Sequence, residues 1–373
     1  MEFSINRSLF IRALGMVQNL VERRSSMAIL SHVCLTASND QLTVEATDLE
    51  VGFQGIFPCT VTREGSVSVP ARKLYEIARE LSCEEVRVRE TENKWLSISG
   101  NSAVFKLFGL SSDDFPGLPK YKHLKTVEIE AQELRRMIDC TLFSTASEDT
   151  PPYNTSGIYL EKLIKDDLSF LRMVATDGHR LAMIDRPIES IRELDLENGV
   201  VLSKKGVSEM RHLLDENGTV QLGVGKEAGM LRRDSSIVSI RLLASKYPNY
   251  ELALPKNESI KLDIPRKPLL DMLRRMHIMT TDRYKGVRLE LRSDTLELFL
   301  TNPELGDANE QMNVSYRYPD LKIGFNPRYF IDALNVMESE TVNLGFMDEE
   351  HGCSIRGEVD GGFMALVMPM QLA

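Results

Sequence analysis

The chain has 373 residues, 42% of them apolar and 27% charged, with a formal charge of −10. That length exceeds one ordinary core and leads to an expectation of two or three domains, while no apolar run is long enough for a membrane helix. The negative charge repels polyanions at long range, so any nucleic-acid role has to rest on local segregation of positive charge.

In chain order, Met1-Glu2-Phe3-Ser4-Ile5-Asn6 lacks the basic and then apolar layout of a secretion signal. Phe3-Ser4-Ile5 instead reads as a short strand before an amphipathic helix from Leu9 to Leu20. Leu42-Thr43-Val44-Glu45 alternates as a strand into a turn at Ala46-Thr47-Asp48-Leu49. Val69-Pro70-Ala71-Arg72-Lys73-Leu74 is a strand end running into a helix, Val86-Arg87-Val88 another strand, and Phe105-Lys106-Leu107 a late strand that exits through Phe115-Pro116. The series then restarts. Val127-Glu128-Ile129 precedes a helix from Leu134 to Phe143, and the turn returns as Ala175-Thr176-Asp177-Gly178. Val201-Leu202-Ser203-Lys204-Lys205-Gly206 enters the next helix, and Ile240-Arg241-Leu242 leads to Tyr247-Pro248. The third round runs through Leu262-Asp263-Ile264, a helix from Leu269 to Ile278, Leu289-Glu290-Leu291, Leu300-Thr301-Asn302-Pro303, Phe325-Asn326-Pro327-Arg328-Tyr329, and Met364-Ala365-Leu366 to Met368-Pro369. Ordered recurrence of four signals in three copies predicts three repeated domains, at 1–126, 127–259 and 260–373, each with two helices and several strands. The links between copies are short, so the copies are expected to pack edge to edge.

The proposed helices carry sixteen basic residues, among them Arg12, Arg72, Arg79, Arg135, Arg136, Arg211, Arg266 and Arg274, against eight acidic ones. Positive charge is therefore concentrated on helices in an acidic chain. Such helices suit phosphates and counterion release. They lack the Asn/Gln/Arg clusters of base readers and the aromatic interleaving of single-strand binders, so duplex held by its backbone is the expected ligand.

Asp-Gly is a hairpin signal, which places His179 and Arg180 just past a tight turn. A metal-dependent phosphoesterase or nuclease built on this Asp-Gly-His turn is the alternative reading. Against it, no Ser, Cys, Glu or Asp partner stands at a recognisable spacing from His179. Asp48, Asp177 and Asn302 also recur as turn residues in equivalent places. Gly223-Val224-Gly225-Lys226 has neither the spacing nor the following Ser/Thr of a nucleotide loop. No catalytic residue, metal or cofactor is therefore expected. The five cysteines, Cys34, Cys59, Cys83, Cys140 and Cys353, lack Cys-x-x-Cys spacing and fit free thiols in a reducing cytoplasm.

Ala175 to Ala182, Val69-Pro70-Ala71-Arg72-Lys73, Asp114-Phe115-Pro116, Gly286-Val287-Arg288-Leu289 and Val367-Met368-Pro369-Met370-Gln371-Leu372 together resemble the bacterial DNA polymerase sliding clamp family, over the whole chain and in order. The resemblance implies an α+β fold: three similar domains of the DNA-clamp fold, each with two helices packed on antiparallel sheets, assembled head to tail as a homodimeric ring around duplex DNA. It implies a processivity factor without catalytic activity of its own. Its partners would be the replicative polymerase catalytic subunit, an ATP-dependent clamp loader, and repair and translesion polymerases that bind through linear peptide motifs. By position, the peptide pocket would use Thr176, Gly178, His179, Arg180, Leu181, Pro248, Asn326 and Tyr329, with Val367, Met368, Pro369 and Met370. Thr155 stands where the family commonly has a pocket leucine, and Leu252 and Ala253 where some relatives have arginine and valine. DNA contacts would come from Arg23, Arg24 and Tyr153. The dimer seam would set Lys73, Phe105 and Leu107 against Ile278, Met279, Glu304, Asp307 and Glu310.

Overall fold

The computed structural model describes all residues except 22–26, 120, 122, 148–154, 195, 197, 216, 245 and 372–373. In the first repeat the elements are β1 (Glu2–Asn6), α1 (Arg7–Gly15), β2 (His32–Ser38), β3 (Gln41–Thr47), β4 (Val51–Pro58), β5 (Thr60–Arg63), β6 (Gly65–Pro70), α2 (Ala71–Glu80), β7 (Glu85–Glu90), β8 (Trp95–Gly100) and β9 (Ala103–Phe108). The second holds β10 (Thr126–Glu130), α3 (Ala131–Thr141), β11 (Gly157–Lys165), β12 (Leu168–Thr176), β13 (Arg180–Pro187), β14 (Val200–Ser203), α4 (Lys204–His212), β15 (Thr219–Val224), β16 (Ala228–Arg233) and β17 (Ser236–Arg241). The third holds β18 (Ile260–Pro265), α5 (Arg266–His277), β19 (Val287–Arg292), β20 (Thr295–Asn302), β21 (Gly306–Asn313), β22 (Leu321–Phe325), α6 (Pro327–Val336), β23 (Thr341–Phe346), β24 (Cys353–Gly357) and β25 (Phe363–Val367). Each repeat thus carries two α-helices among the described residues, as the sequence predicts.

The chain divides into two compact units. One comprises Met1–Arg135, Ser190–Leu196 and Lys205–Leu243; the other comprises Arg136–Glu189, Glu197–Lys204 and Ala244–Ala373. The first unit contains a five-stranded sheet, β5-β1-β7-β8-β9, and an eight-stranded one, β10-β15-β16-β17-β4-β3-β2-β6. The second contains an eight-stranded sheet, β14-β11-β12-β13-β25-β24-β23-β18, and a four-stranded one, β21-β20-β19-β22. Each repeat contributes two groups of four strands, and the first adds β5 to one of them. The edge-to-edge packing is literal: β17 of the second repeat hydrogen-bonds to β4 of the first, and β25 of the third to β13 of the second.

In the first and third repeats the core lies under the helix pair. Phe10, Ala13 and Leu14 of α1 and Leu74 and Ala78 of α2 are fully buried, with Phe3 edge-on to Phe10. In the third repeat Leu269, Leu273, Phe330 and Leu334 fill the same role, and Phe330 meets Phe325 edge-on. Each of these Leu and Phe side chains contributes about 2 kcal/mol by leaving water. The first helix is shorter than its periodicity predicts. It ends at Gly15, and tight turns carry the chain through Val17 and Leu20, which still point inward.

Guanidinium groups close the ends of the second helices, whose last carbonyls lack intrahelical partners. Arg7, the first residue of α1, donates from Nε to the Ala78 carbonyl at 3.1 Å and also reaches Arg79. Arg266, the first residue of α5, donates to the carbonyls of Ser339 at 2.8 Å and Leu334 at 3.0 Å. The second repeat has Ala131 at that position. There Arg233, on β16, supplies the guanidinium to Leu213 at 2.9 Å and Asn217 at 2.7 Å.

Candidate functional site

The turn between β12 and β13 is built from its own side chains. Thr176 Oγ1 donates to the Arg180 carbonyl at 2.7 Å and accepts from the Gly178 amide. Asp177 Oδ1 accepts from the amides of His179 and Arg180, each at 3.0 Å, and Oδ2 accepts from Arg180 Nε at 3.0 Å. Gly178 sits at φ +87°, a left-handed conformation that favours glycine. The first repeat reproduces the frame: Thr47 Oγ1 donates to the Val51 carbonyl, and Asp48 Oδ1 accepts from Glu50 and Val51. In the third, Asn302 Oδ1 accepts from Glu304. The two aspartates thus spend their oxygens on backbone amides and on Arg180 or Lys205, which is turn geometry.

Around this turn the second unit gathers most of the expected pocket. Arg180 pairs with Val367 in the β13–β25 ladder, and the Met368 amide donates to the His179 carbonyl at 2.9 Å. The tail is tied down again where the Met370 amide donates to the Gly324 carbonyl at 2.8 Å. The His179 ring lies parallel to Tyr329, centroids 6.5 Å apart. Asn326 caps α6 by accepting from the Arg328 amide at 3.0 Å, which fixes Tyr329 on the first turn. Tyr247 donates to the Val174 carbonyl at 3.4 Å and brings half-buried Pro248 beside β12. Burial pushes the Tyr329 hydroxyl above the usual tyrosine range, so it stays a neutral donor.

Not every expected pocket residue presents its side chain. Gly178, His179 and Met368 are exposed, and Thr176, Arg180, Pro248, Asn326, Tyr329, Pro369 and Met370 are half-buried. Leu181, Val367 and Thr155 are buried. Thr155 offers its carbonyl to the Ala146 amide. The Arg180 guanidinium is committed within the chain. It lies between the rings of Tyr329 at 4.7 Å and Phe143 at 5.5 Å and donates to Asp332 at 2.7 Å. Phe143 and Asp332 were not among the residues expected here. Asp332 stands four residues after Arg328, to which it also pairs at 2.9 Å, and that helical spacing is its one trace in the sequence.

The positive charge does sit on helices: the six carry fifteen Lys/Arg against seven Asp/Glu. Only part of it faces solvent. Arg12, Arg72, Lys73, Arg79, Lys267, Arg274, Arg275 and Arg328 are exposed. Arg136 instead binds Asp360 at 2.6 Å and the Val336 carbonyl, Arg135 binds Asp215 at 2.9 Å, and Lys205 binds Asp48. Of the other expected DNA contacts, Arg23, Arg24 and Tyr153 lie outside the described residues.

Of the expected seam residues, Phe105 and Leu107 fall on one unpaired sheet edge, Asp307 and Glu310 on another, and the rest on neighbouring turns and helices. β9 ends the five-stranded sheet and carries exposed Phe105 and half-buried Leu107; Lys73 is exposed on α2. β21 ends the four-stranded sheet, with exposed Glu304 and Asp307 at its start. Beyond α5, Ile278 is 76% exposed and Met279 half-buried. Glu310 is held by Arg275 of its own chain through Nε at 2.9 Å and a second nitrogen. Exposed Leu305 and Val104 add apolar surface that the sequence reading did not single out.

Among the described residues, no group of three or more His, Cys, Asp or Glu could hold a metal ion. No helix among them is long and apolar enough to cross a membrane.

Three family models match in succession: the DNA polymerase III beta subunit N-terminal domain over residues 1–119, the central domain over 128–249 and the C-terminal domain over 251–371. A beta sliding clamp of Pseudomonas putida is 33% identical over the full length of both chains, and that of Haemophilus influenzae 30%. Among solved structures, a sliding clamp (DNA polymerase III subunit beta) from Bartonella birtlesii bound to griselimycin is 30% identical with a TM-score of 0.93, both chains covered in full. The DNA polymerase III subunit beta from Pseudomonas aeruginosa, 31% identical, gives 0.90 over the same coverage.

Proposed function

The chain belongs to the DNA polymerase III beta subunit family, and from that premise we propose that two copies close head to tail into a ring that duplex DNA threads. Its function is that of a sliding clamp, a non-catalytic processivity factor. We take its three clamp domains as 1–126, 127–259 and 260–373.

The observation that carries the ring is the pairing of strands between repeats. The last strand of the second repeat, β17, pairs with β4, and the last strand of the third, β25, pairs with β13. The last strand of the first repeat, β9, has no such partner, and β21, the counterpart of β4 and β13, is an open edge. Two subunits satisfy both edges twice. The existing ladders set Val51 opposite Ile240 and Arg180 opposite Val367. Transposed by repeat, they set Leu107 opposite the partner subunit's Leu305. Phe105 and Leu107 would form the apolar centre with Leu305, Ile278 and Met279. Lys73 would face Glu304 and Asp307, while Glu310 would act through Arg275.

DNA is held through its backbone by exposed cations of the helices, with Arg23, Arg24 and Tyr153 as further contacts. These contacts are weak and screened by salt, so retention is topological. The groove of His179, Tyr329, Pro248, Met368, Pro369 and Met370, with the committed Arg180 as strut, takes a linear peptide of the polymerase. Clamp-loader, repair and translesion partners would use the same groove. Methionines suit several peptides because the thioether side chain repacks at low cost. Tethering turns a modest peptide affinity into high occupancy on the same DNA.

The test is loading onto nicked circular duplex. The protein should stay on the circle through gel filtration and be lost when a single cut linearises it; equal retention on both forms would refute encirclement. Tyr329→Ala should abolish polymerase-peptide binding and leave retention on the circle unchanged.

A further inference from the structure

The five-stranded sheet of the first repeat has a face that neither the seam nor the helices use. On β9, Phe105 and Leu107 alternate with Lys106 and Phe108, so the second pair points to the opposite face. Lys106 stands opposite Ser97, Ser97 opposite Arg89, Arg89 opposite Glu2, and Glu2 opposite Arg63. One transverse row therefore carries three cations and one acid. Beside it, Trp95 stands opposite Phe108, ring centroids 5.5 Å apart at 69°. Trp95 is 41% exposed and Phe108 53%. An open cleft of about 920 Å³ runs along this surface, lined by Met1, Arg63, Arg89, Glu90, Glu92, Trp95 and Lys106.

The cations here are poorly matched within the chain. Lys106 makes no hydrogen bond or ion pair among the described residues. Arg63 donates only to the carbonyls of Met1 at 3.3 Å and Glu90 at 2.8 Å. Glu2 approaches Arg89 no closer than 3.9 Å. The Glu90 carboxylate is occupied by the chain's own amino group at 3.1 Å and by Lys94 at 3.8 Å. An exposed aromatic pair beside under-neutralised cations, in a chain of charge −10, is an unusual use of surface.

We propose that this face docks a short acidic peptide that seats a leucine or aromatic side chain against Trp95 and Phe108 and sets carboxylates on Arg63, Arg89 and Lys106. The surface favours a peptide over single-stranded nucleic acid for two reasons. Glu2 and Glu92 stand among the cations and repel a phosphate at every residue, whereas two or three carboxylates match the cations one for one. The edge-on rings also offer no flat platform on which successive bases could stack.

Trp95 is the chain's sole tryptophan, so its emission reports the site directly. The probe is the peptide acetyl-Glu-Asp-Leu-Phe-Glu-amide, titrated into the full-length protein. The emission should shift to shorter wavelength and saturate, with an affinity that falls as salt is added. The double variant Arg89→Glu/Lys106→Glu should weaken binding about tenfold or more. Phe108→Ala should weaken it without changing the charge; all three substituted positions are exposed, and an unchanged far-UV spectrum would establish folding. Tyr329→Ala, in the groove described above, should leave the response intact, so this surface and the groove fail separately. No response at millimolar peptide, an unchanged affinity in the charge-reversed variant, a response lost in Tyr329→Ala, or a response to oligo-dT in place of the peptide would each overturn the proposal.

Discussion

Glu209 is a carboxyl group 5% exposed on α4, with Lys205 and Asp48 as its charged neighbours. Burial is the main cause that lifts its titration to about 7, Lys205 opposes that, and Asp48 adds to it. A carboxyl raised in the fold costs nothing below its unfolded value, near 4.5, and costs progressively more as pH rises through 7. Glu209→Gln should therefore match the parent near pH 4 and exceed it by roughly 3 kcal/mol at pH 8, read as the difference in urea unfolding at the two pH values. Gly178 is a different case. No atom lies within 4 Å of where its Cβ would stand, so Gly178→Ala meets no clash, only the left-handed backbone at φ +87°. A loss of about 1 kcal/mol in unfolding free energy is expected. A loss above about 3 kcal/mol would mean that the turn depends on contacts other than its own frame.

At the scale of elements, Asn326 connects stability to the groove. It caps α6 through the Arg328 amide, and Tyr329 sits on that first turn. Asn326→Ala should cost about 1 kcal/mol in stability and weaken peptide binding, while Asn326→Ser should recover most of both. A cap of this kind is readable in advance, because Asn-Pro before an amphipathic run has one local meaning. The three-fold recurrence is likewise readable, since strand alternation and turn chemistry are local, and it marks Asp177 as a turn residue, the role its bonds show. What the chain hid depends on distant neighbours. Nothing near Arg180 in the sequence announces Phe143 or Asp332, and nothing near Glu310 announces Arg275. Arg136 and Arg266 read as cations for phosphate, yet they close helix ends or bind Asp360 within the fold. Leu181 and Val367 read as pocket surface because the sequence gives their neighbours along the strand but not which face is covered.

At the scale of the whole molecule, the transposed register can be tested by covalent trapping. Leu107→Cys with Leu305→Cys should yield a dimer cross-linked at both seams on mild oxidation, stable in denaturant, whereas Leu107→Cys with Asn309→Cys should not. Phe105→Arg should shift the mass measured at micromolar concentration to a monomer and abolish retention on circular DNA. If the dimer survives Phe105→Arg, that residue lies outside the centre of the seam. The Thr-Asp frame also has a bearing on how such a molecule diversifies. In the first two copies its hydroxyl and carboxylate satisfy the backbone from within, and in the third the Asn302 amide oxygen accepts from Glu304, so apart from the left-handed Gly178 the side chains they enclose are little needed to hold the bend. The first copy places Leu49, Glu50 and Val51 there, the second Gly178, His179 and Arg180, the third Pro303, Glu304 and Leu305. One chassis is thereby fitted out three ways, and a lineage can re-letter the copy that meets visitors without disturbing the two that keep house.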